Sequence, residues 1–179
     1  MTGAAEQYGQ ALYELARDED ISREVFAQIQ TLQEAFREEP GFLRLLSSPN
    51  LSKQERCDLL DESFRQQLHP YLLNFLKILT QEGLIRKFPE CCTHVRNCYY
   101  TDNHILPVKA YTAQPLTQEQ KQLLTEKMQT ITGKTVLLEN LIDPDCLGGV
   151  RLSYDGKQID GTVQNRLASV GKLLKNTVL

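Results

Sequence analysis

The sequence predicts an α+β protein in which an N-terminal six-helix bundle precedes a small α/β domain with a mixed sheet. Two observations predict this class. Apolar residues recur with the 3.6-residue period of amphipathic helices over residues 1–104, and with the two-residue period of strands in several segments afterwards. The charge balance changes at the same place, from 11 basic and 16 acidic side chains in residues 1–104 to 9 and 7 in residues 105–179. We therefore expect two domains with these boundaries.

Six segments of the first domain carry apolar residues at helical spacing. In chain order, these residues are Tyr8, Ala11, Leu12 and Leu15; Ile21, Val25, Ile29, Leu32 and Phe36; the short turn Phe42–Leu46; Leu59, Leu60 and Phe64; Leu72, Phe75, Leu76 and Leu79; and Leu84, Phe88, Cys91, Cys92, Val95, Cys98 and Tyr99.

Local signals mark the ends of these helices. Ser52 followed by Glu55 is a capping box, in which each side chain satisfies a backbone N–H of the first turn. Pro70 suits the first turn of the fifth helix and Gly83 its end. Pro89 is expected in the first turn of the sixth helix or at a kink. Short connections between six helices predict a bundle.

The second domain alternates between strand and helix patterns. Its elements are a strand with Leu106, Val108, Ala110 and Thr112 on one face; a helix over 117–131 with Leu123, Leu124, Met128 and Ile131 inward; strands over 135–142, 150–154 and 158–160; and a last helix with Val163, Leu167, Val170 and Leu174 on one side. Asp155-Gly156 between the last two strands predicts a tight hairpin turn, because both positions tolerate φ > 0. This order predicts a mixed sheet.

Composition excludes several classes of function. The 179-residue chain has a net charge of −3, and an acidic chain repels phosphates, so nucleic acid is not an expected partner. The longest uncharged run, residues 66–76, is shorter than the roughly 20 residues that span a bilayer, so direct membrane insertion is not expected. Residues 1–10 lack the pattern of a secretory signal, and the five cysteines are expected to be reduced thiols.

The chain offers little for catalysis. Gly133-Lys134-Thr135 matches the tail of a nucleotide-binding loop, but Met128 stands where that motif requires a glycine. The three histidines have no Ser or Asp at a catalytic spacing. We therefore expect no catalytic residue, no cofactor and no metal site.

One cluster of soft ligands supports an alternative. Cys91, His94 and Cys98 share one broad face of a helix, so a small metal- or thiol-dependent enzyme built on them is a second hypothesis. Structural zinc usually takes four ligands, and these positions continue an apolar stripe, which favours core packing.

Five short segments, spread along the whole chain, carry a recognisable pattern. Residues 8–16 read Tyr-Gly-Gln-Ala-Leu-Tyr-Glu-Leu-Ala, residues 75–79 and 83–85 read Phe-Leu-Lys-Ile-Leu and Gly-Leu-Ile, and Asp143-Pro144-x-x-Leu147-Gly148-Gly149-Val150 precedes Asp160-Gly161-Thr162-Val163-x-x-Arg166-Leu167. Together they resemble the delta subunit of F-type ATP synthase, the family of the mitochondrial oligomycin-sensitivity-conferring protein. Gly9 replaces the family's usual alanine, and Leu84-Ile85-Arg86 departs from its Arg-Leu pair.

The resemblance implies a non-catalytic stator subunit of the peripheral stalk, one copy per complex. It would link the catalytic alpha/beta head to the b subunits and resist torque during rotary, proton-driven ATP synthesis. The family's N-terminal bundle binds the N-terminal helix of one alpha subunit in a groove between its first and fifth helices. Carried over, that groove involves Tyr8, Ala11, Leu12, Leu15, Leu72, Phe75, Leu76 and Leu79. The pattern leaves open which of them face the groove and which the core.

The family's C-terminal domain engages the b subunits. Here the corresponding residues are Gly148, Gly149, Arg166, Leu167 and Val170. Because the chain begins almost at the family's first helix, we expect no organelle transit peptide and a peripheral position on the cytoplasmic face of a bacterial membrane. A helical adaptor of another complex is the remaining alternative.

Overall fold

The computed structural model describes residues 3–146 and 148–161 and confirms the mixed α+β class. The chain divides between Tyr100 and Thr101 into two compact units. The helix predicted to begin at Thr162 lies outside the described residues.

The described part of the first unit is helical. Its α-helices are α1 (Ala4–Asp18), α2 (Ser22–Glu38), α3 (Pro40–Leu46), α4 (Lys53–Phe64), α5 (Pro70–Gln81) and α6 (Phe88–Asp102), with a 3-10 turn at Ile85–Lys87 before α6. Pro89 lies in the first turn of α6, where its missing N–H costs nothing. The 3-10 turn moves the start of this helix from the predicted Leu84 to Phe88.

The capping box at the start of α4 is confirmed. Ser52 Oγ accepts a hydrogen bond from the Glu55 backbone N–H at 3.2 Å, and Glu55 Oε2 accepts one from the Ser52 N–H at 2.7 Å. The bond from the Ser52 backbone also lowers the pKa of the Glu55 carboxyl, because it stabilises the charged form.

The core of the first unit is built from aliphatic residues of α1, α2 and α5 and from an aromatic group. Phe36 contacts Phe88 with ring centroids 5.2 Å apart, and it contacts Phe42 and Phe64 at 5.8 and 6.2 Å. These rings come from α2, α3, α4 and α6, so one cluster ties four helices together.

The second unit contains a four-stranded sheet with the order β2-β1-β3-β4. Its elements are β1 (Ile105–Thr112), α7 (Gln118–Thr132), β2 (Thr135–Ile142), β3 (Arg151–Tyr154) and β4 (Lys157–Asp160). β1 is parallel to β2 and antiparallel to β3, which confirms the mixed sheet. The predicted alternation of β1 holds, since Leu106, Val108, Ala110 and Thr112 are all buried.

Two turns in this unit follow from their sequences. Asp155 and Gly156 have φ values of 47° and 69° and join β3 to β4 as the predicted tight hairpin. Gly133 ends α7 in the left-handed conformation, with a φ of 67°.

The inward face predicted for α7 is partly wrong. Met128 is buried and Leu124 partly buried against the sheet, but Leu123 is 55% exposed and Ile131 is 71% exposed. Leu123 lies about 100° around the helix axis from Leu124. Within the described residues, the sheet packs against the side of α7 that carries Leu124 and Met128, and the neighbouring side is exposed.

Candidate partner-binding site

The predicted groove residues divide into a buried and an exposed group. Helix α5 packs against α1 and α4. Its Leu72, Leu76 and Leu79 are 0% exposed and Phe75 is buried as well, so all four lie in the core of the first unit. These residues hold the helices together.

Helix α1, in contrast, contributes predicted groove residues to both groups. Leu12 is buried, Tyr8 is half-buried and Ala11 is exposed. Leu15 is 40% exposed, which is unusual for a leucine in the middle of an apolar stripe. Tyr8, Ala11 and Leu15 are spaced at i, i+3 and i+7, so they share one side of the helix.

Two exposed apolar residues of α5 are not among the predicted groove residues. Tyr71 is exposed and Ile78 is 37% exposed. They are seven residues apart and therefore lie on one side of α5, two turns from each other. Their spacing was a usable signal, but the nearby leucines form a longer stripe that dominates the pattern. We name Tyr8, Ala11, Leu15, Tyr71 and Ile78 the α1/α5 surface.

Charged groups lie on the same helices. Lys77 on α5 pairs with Asp61 on α4, with Nζ 2.6 Å from Oδ1. Helix α1 ends in Asp18, followed by Glu19 and Asp20, all exposed. Apolar side chains with charged neighbours are the arrangement that an amphipathic helix recognises.

Helix α1 lies unusually close to α6 at Gly9. A Cβ at this position would be 2.9 Å from the Cys91 carbonyl oxygen and 3.0 Å from the His94 Cβ. The departure of Gly9 from the alanine of the resembled pattern therefore has a physical cause, because the backbone of α6 fills the space of a methyl group.

A polar network joins the same two helices. The Gln10 amide oxygen lies 3.2 Å from His94 Nε2 and accepts a hydrogen bond from Cys98 Sγ at 3.3 Å. The amide nitrogen of Gln10 donates to Glu14 at 2.7 Å. His94 and Cys98 are thus engaged with an amide of α1.

Two of the three cysteines of α6 are buried against other helices. Cys91 and Cys92 both belong to the core of the first unit. Burial raises the pKa of the Cys91 thiol to about 11 and raises the pKa of Cys92 further, so both are protonated and weakly nucleophilic at neutral pH. Among the described residues, no three His, Cys, Asp or Glu side chains are grouped so as to hold a metal ion.

The residues predicted to contact the b subunits fall partly outside the described chain. Arg166, Leu167 and Val170 are not among the described residues. Gly148 and Gly149 are described, with φ values of 144° and 85° that favour glycine over other residues. These two glycines shape the connection between β2 and β3.

An ion pair fixes the ends of that connection. Arg151 Nη2 donates a hydrogen bond to Asp143 Oδ2, and the Arg151 guanidinium lies over the Tyr111 ring, 5.0 Å from its centroid. Asp143 Oδ1 accepts a second bond from the Asp145 N–H at 3.0 Å. Asp143 and the two glycines therefore stabilise the conformation of the connection between β2 and β3.

The fold is that of a subunit found in rotary ATP synthases. The chain matches a chain in the structure of the Toxoplasma gondii mitochondrial ATP synthase hexamer, with a TM-score of 0.74 and 16% identity over 97% of this chain and 98% of that one. It also matches a chain of the Polytomella F-ATP synthase, with a TM-score of 0.53 over 57% of this chain and 90% of that one.

Sequence comparison identifies the family. The family described as ATP synthase delta (OSCP) subunit matches residues 4–174, and the chain belongs to it. ATP synthase subunit delta 1 of Syntrophotalea carbinolica is 30% identical, over 98% of both chains. ATP synthase subunit delta of Alkaliphilus oremlandii is 28% identical, over 98% of this chain and 97% of its own. None of the helices within residues 3–146 and 148–161 combines the length and hydropathy that a bilayer span requires.

Proposed function

We propose that this chain is the non-catalytic stator subunit that links the catalytic head of an F-type ATP synthase to its peripheral stalk. The observation that carries the proposal is the family match, which covers residues 4–174 and so both units. During rotary, proton-driven synthesis the head is held still while the central stalk turns, and the chain resists that torque by binding two partners at once. One copy serves each complex.

The first unit, residues 1–104 in the sequence division, binds the N-terminal helix of one alpha subunit on the α1/α5 surface. Exposed Leu15, Tyr71 and Ile78 support this assignment, because apolar side chains at helical spacing match the apolar side of an amphipathic helix. The buried leucines of α5 act indirectly, by fixing the distance between α1 and α5. Six helices packed as a bundle would give this surface a rigid base.

The exposed apolar side chains supply part of the binding free energy of a tight interface. Full burial of a leucine or isoleucine side chain contributes about 1.5–3 kcal/mol. A nanomolar dissociation constant corresponds to about −12 kcal/mol. Leu15 and Ile78 are only 40% and 37% exposed, so a partner helix gains a fraction of that value from each of them. A nanomolar interface therefore needs contacts beyond these anchors, including polar contacts around them.

The second unit, residues 105–179, binds the b subunits through the region of Gly148 and Gly149 and the segment that contains Arg166, Leu167 and Val170. The chain is then a peripheral component of a membrane complex. The proposal includes a position on the cytoplasmic face of a bacterial membrane, as the resemblance implies.

Calorimetry with a synthetic peptide of the alpha-subunit N-terminal helix tests the α1/α5 surface. Leu15→Asp and Ile78→Asp each place a charge among apolar contacts, and each is expected to weaken binding by about 100-fold or more. Leu45→Asp is the matched control, because Leu45 is 42% exposed on α3. It is expected to bind like the unaltered chain.

Circular dichroism and urea unfolding of all three variants separate lost binding from lost folding. Equal affinity of the Leu15, Ile78 and Leu45 variants would remove the α1/α5 surface from the interface.

A further inference from the structure

A cleft of about 550 Å³ lies between α2 and α6 and extends to Leu43 of α3. Aromatic contacts hold the two helices side by side and antiparallel. Phe26 stacks on Tyr99 with centroids 4.1 Å apart, and Phe36 meets Phe88 further along. The volume falls within the range of small-molecule sites, roughly 300–1,000 Å³.

The floor and the walls of this cleft differ in chemistry. Leu43 and Pro89 make the accessible floor apolar, and the rings of Phe36 and Phe88 are buried beneath it. The walls are polar and cationic. Arg37, Gln30, Gln33 and Glu34 line the cleft from α2, and Arg96 lines it from α6.

The two arginines are free to bind a ligand. Within residues 3–146 and 148–161, neither Arg37 nor Arg96 has an ion pair or a hydrogen bond from its side chain. Glu34 is the single carboxylate among the described lining residues, so the cleft has an excess of positive charge. This excess stands out in a domain that carries more acidic than basic side chains.

We propose that the cleft binds a small carboxylic acid with an apolar body. A guanidinium presents parallel N–H donors that match the two oxygens of a carboxylate, so Arg37 or Arg96 would bind the acid group. The apolar body would lie on Leu43 and Pro89, the apolar lining residues that are not buried, where its burial is favourable. The inference goes beyond the stator role and does not depend on it, since α2, α3 and α6 form this cleft.

Decanoate, below its micelle-forming concentration, is the probe that tests the ligand class. Titration of the full chain, followed by calorimetry and by amide NMR, is expected to give saturable binding with shifts at Gln33, Arg37 and Arg96. Acetate lacks the apolar body and decyltrimethylammonium lacks the carboxylate, so each is expected to bind at least about tenfold more weakly. No saturable binding at millimolar decanoate, or equal binding of the decyl cation, overturns the proposal.

Variants test the two arginines separately. Arg37→Gln and Arg96→Gln keep a polar side chain but remove the charge, and each is expected to weaken decanoate binding by about tenfold. Arg23→Gln on the exposed start of α2 lies outside the cleft and is expected to keep full affinity. Full affinity in both cleft variants, or NMR shifts confined to α1 and α5, overturns the assignment. Because Arg37 is exposed, its variant is expected to fold. It therefore still tests the proposal if the Arg96 variant does not fold.

Discussion

Helices α5 and α7 both carry apolar residues on more than one side, and the structure buries them to different extents. Helix α5 packs against α1, α4 and the 3-10 turn, and its four predicted groove residues are all buried. Within the described residues, helix α7 packs against β2 and the adjoining sheet, and Leu123 and Ile131 are exposed. Apolar spacing identifies a helix, but the number of neighbours decides how much of its circumference is covered.

The largest effect should come from the core of α5. Leu76→Ala removes three carbon atoms from a site with no exposure, so it should lower the free energy of unfolding by about 2–5 kcal/mol. Ile131→Ala on α7 should change it by less than about 0.5 kcal/mol, since that side chain is 71% exposed. Urea unfolding of both variants measures the difference. Similar losses in the two variants would mean that α7 is buried as deeply as α5.

The second effect concerns polar contacts, on which the strand connection of the second unit depends. Asp143→Ala removes the partner of Arg151 and the acceptor of the Asp145 N–H, so it should cost about 2 kcal/mol. Asp61→Ala in the first unit removes a partly exposed pair with Lys77 and should cost less than about 1 kcal/mol. Chemical denaturation measures the free energy of unfolding of both variants. A larger loss of stability in the Asp61 variant would contradict the conclusion that the Asp143 contacts contribute more than the Asp61–Lys77 pair.

A third effect tests how tightly α1 packs on α6. Gly9→Ala gains helix propensity of about 1 kcal/mol but forces a methyl group to within 2.9 Å of the Cys91 carbonyl oxygen. Overpacking costs about 1–3 kcal/mol, so a net loss of about 1 kcal/mol is expected in thermal unfolding. Gly41→Ala, which meets nothing within 4 Å, is the control and should not lose stability in this way. A Gly9→Ala variant that is more stable than the unaltered chain would show that α6 moves easily to make room for the methyl group.

A fourth effect, of similar size, is the pH dependence from the buried Cys91 thiol. The pKa of Cys91 is raised to about 11 in the folded state, so its contribution to stability is complete below the unfolded pKa near 9 and is lost as pH rises towards 11. Between pH 8 and pH 10 this loss should be about 1 kcal/mol. Cys91→Ala should lose less stability over the same interval, because it has no thiol at this site. Parallel pH curves for the two proteins would show that the thiol ionises freely in the fold.

Elements with short-range signals could be predicted from the sequence. The Ser52 and Glu55 cap, the Asp155-Gly156 hairpin and the alternation of β1 each depend on residues close together in the chain, and each is confirmed. The mixed sheet followed from the order of strands and helix, because a helix between two strands favours parallel pairing and a hairpin requires antiparallel pairing.

The candidate site could be predicted less well, since exposure depends on packing between distant segments. Leu76 and Ile78 are both apolar residues of α5, and their spacing alone does not tell which side of the helix meets α1 or α4. The need for a glycine at position 9 likewise depends on its contact with Cys91, which is far away in the chain. The α1/α5 surface therefore emerges only once the helices are packed.

Proton-driven ATP formation in inverted membrane vesicles tests the stator account most directly. Cells whose only copy of this chain carries Leu15→Asp and Ile78→Asp are compared with cells that carry the Leu45→Asp control. The account predicts that the double variant loses ATP formation while the catalytic head still hydrolyses ATP, and that the control retains both activities. Undiminished ATP formation in the double variant would contradict the account.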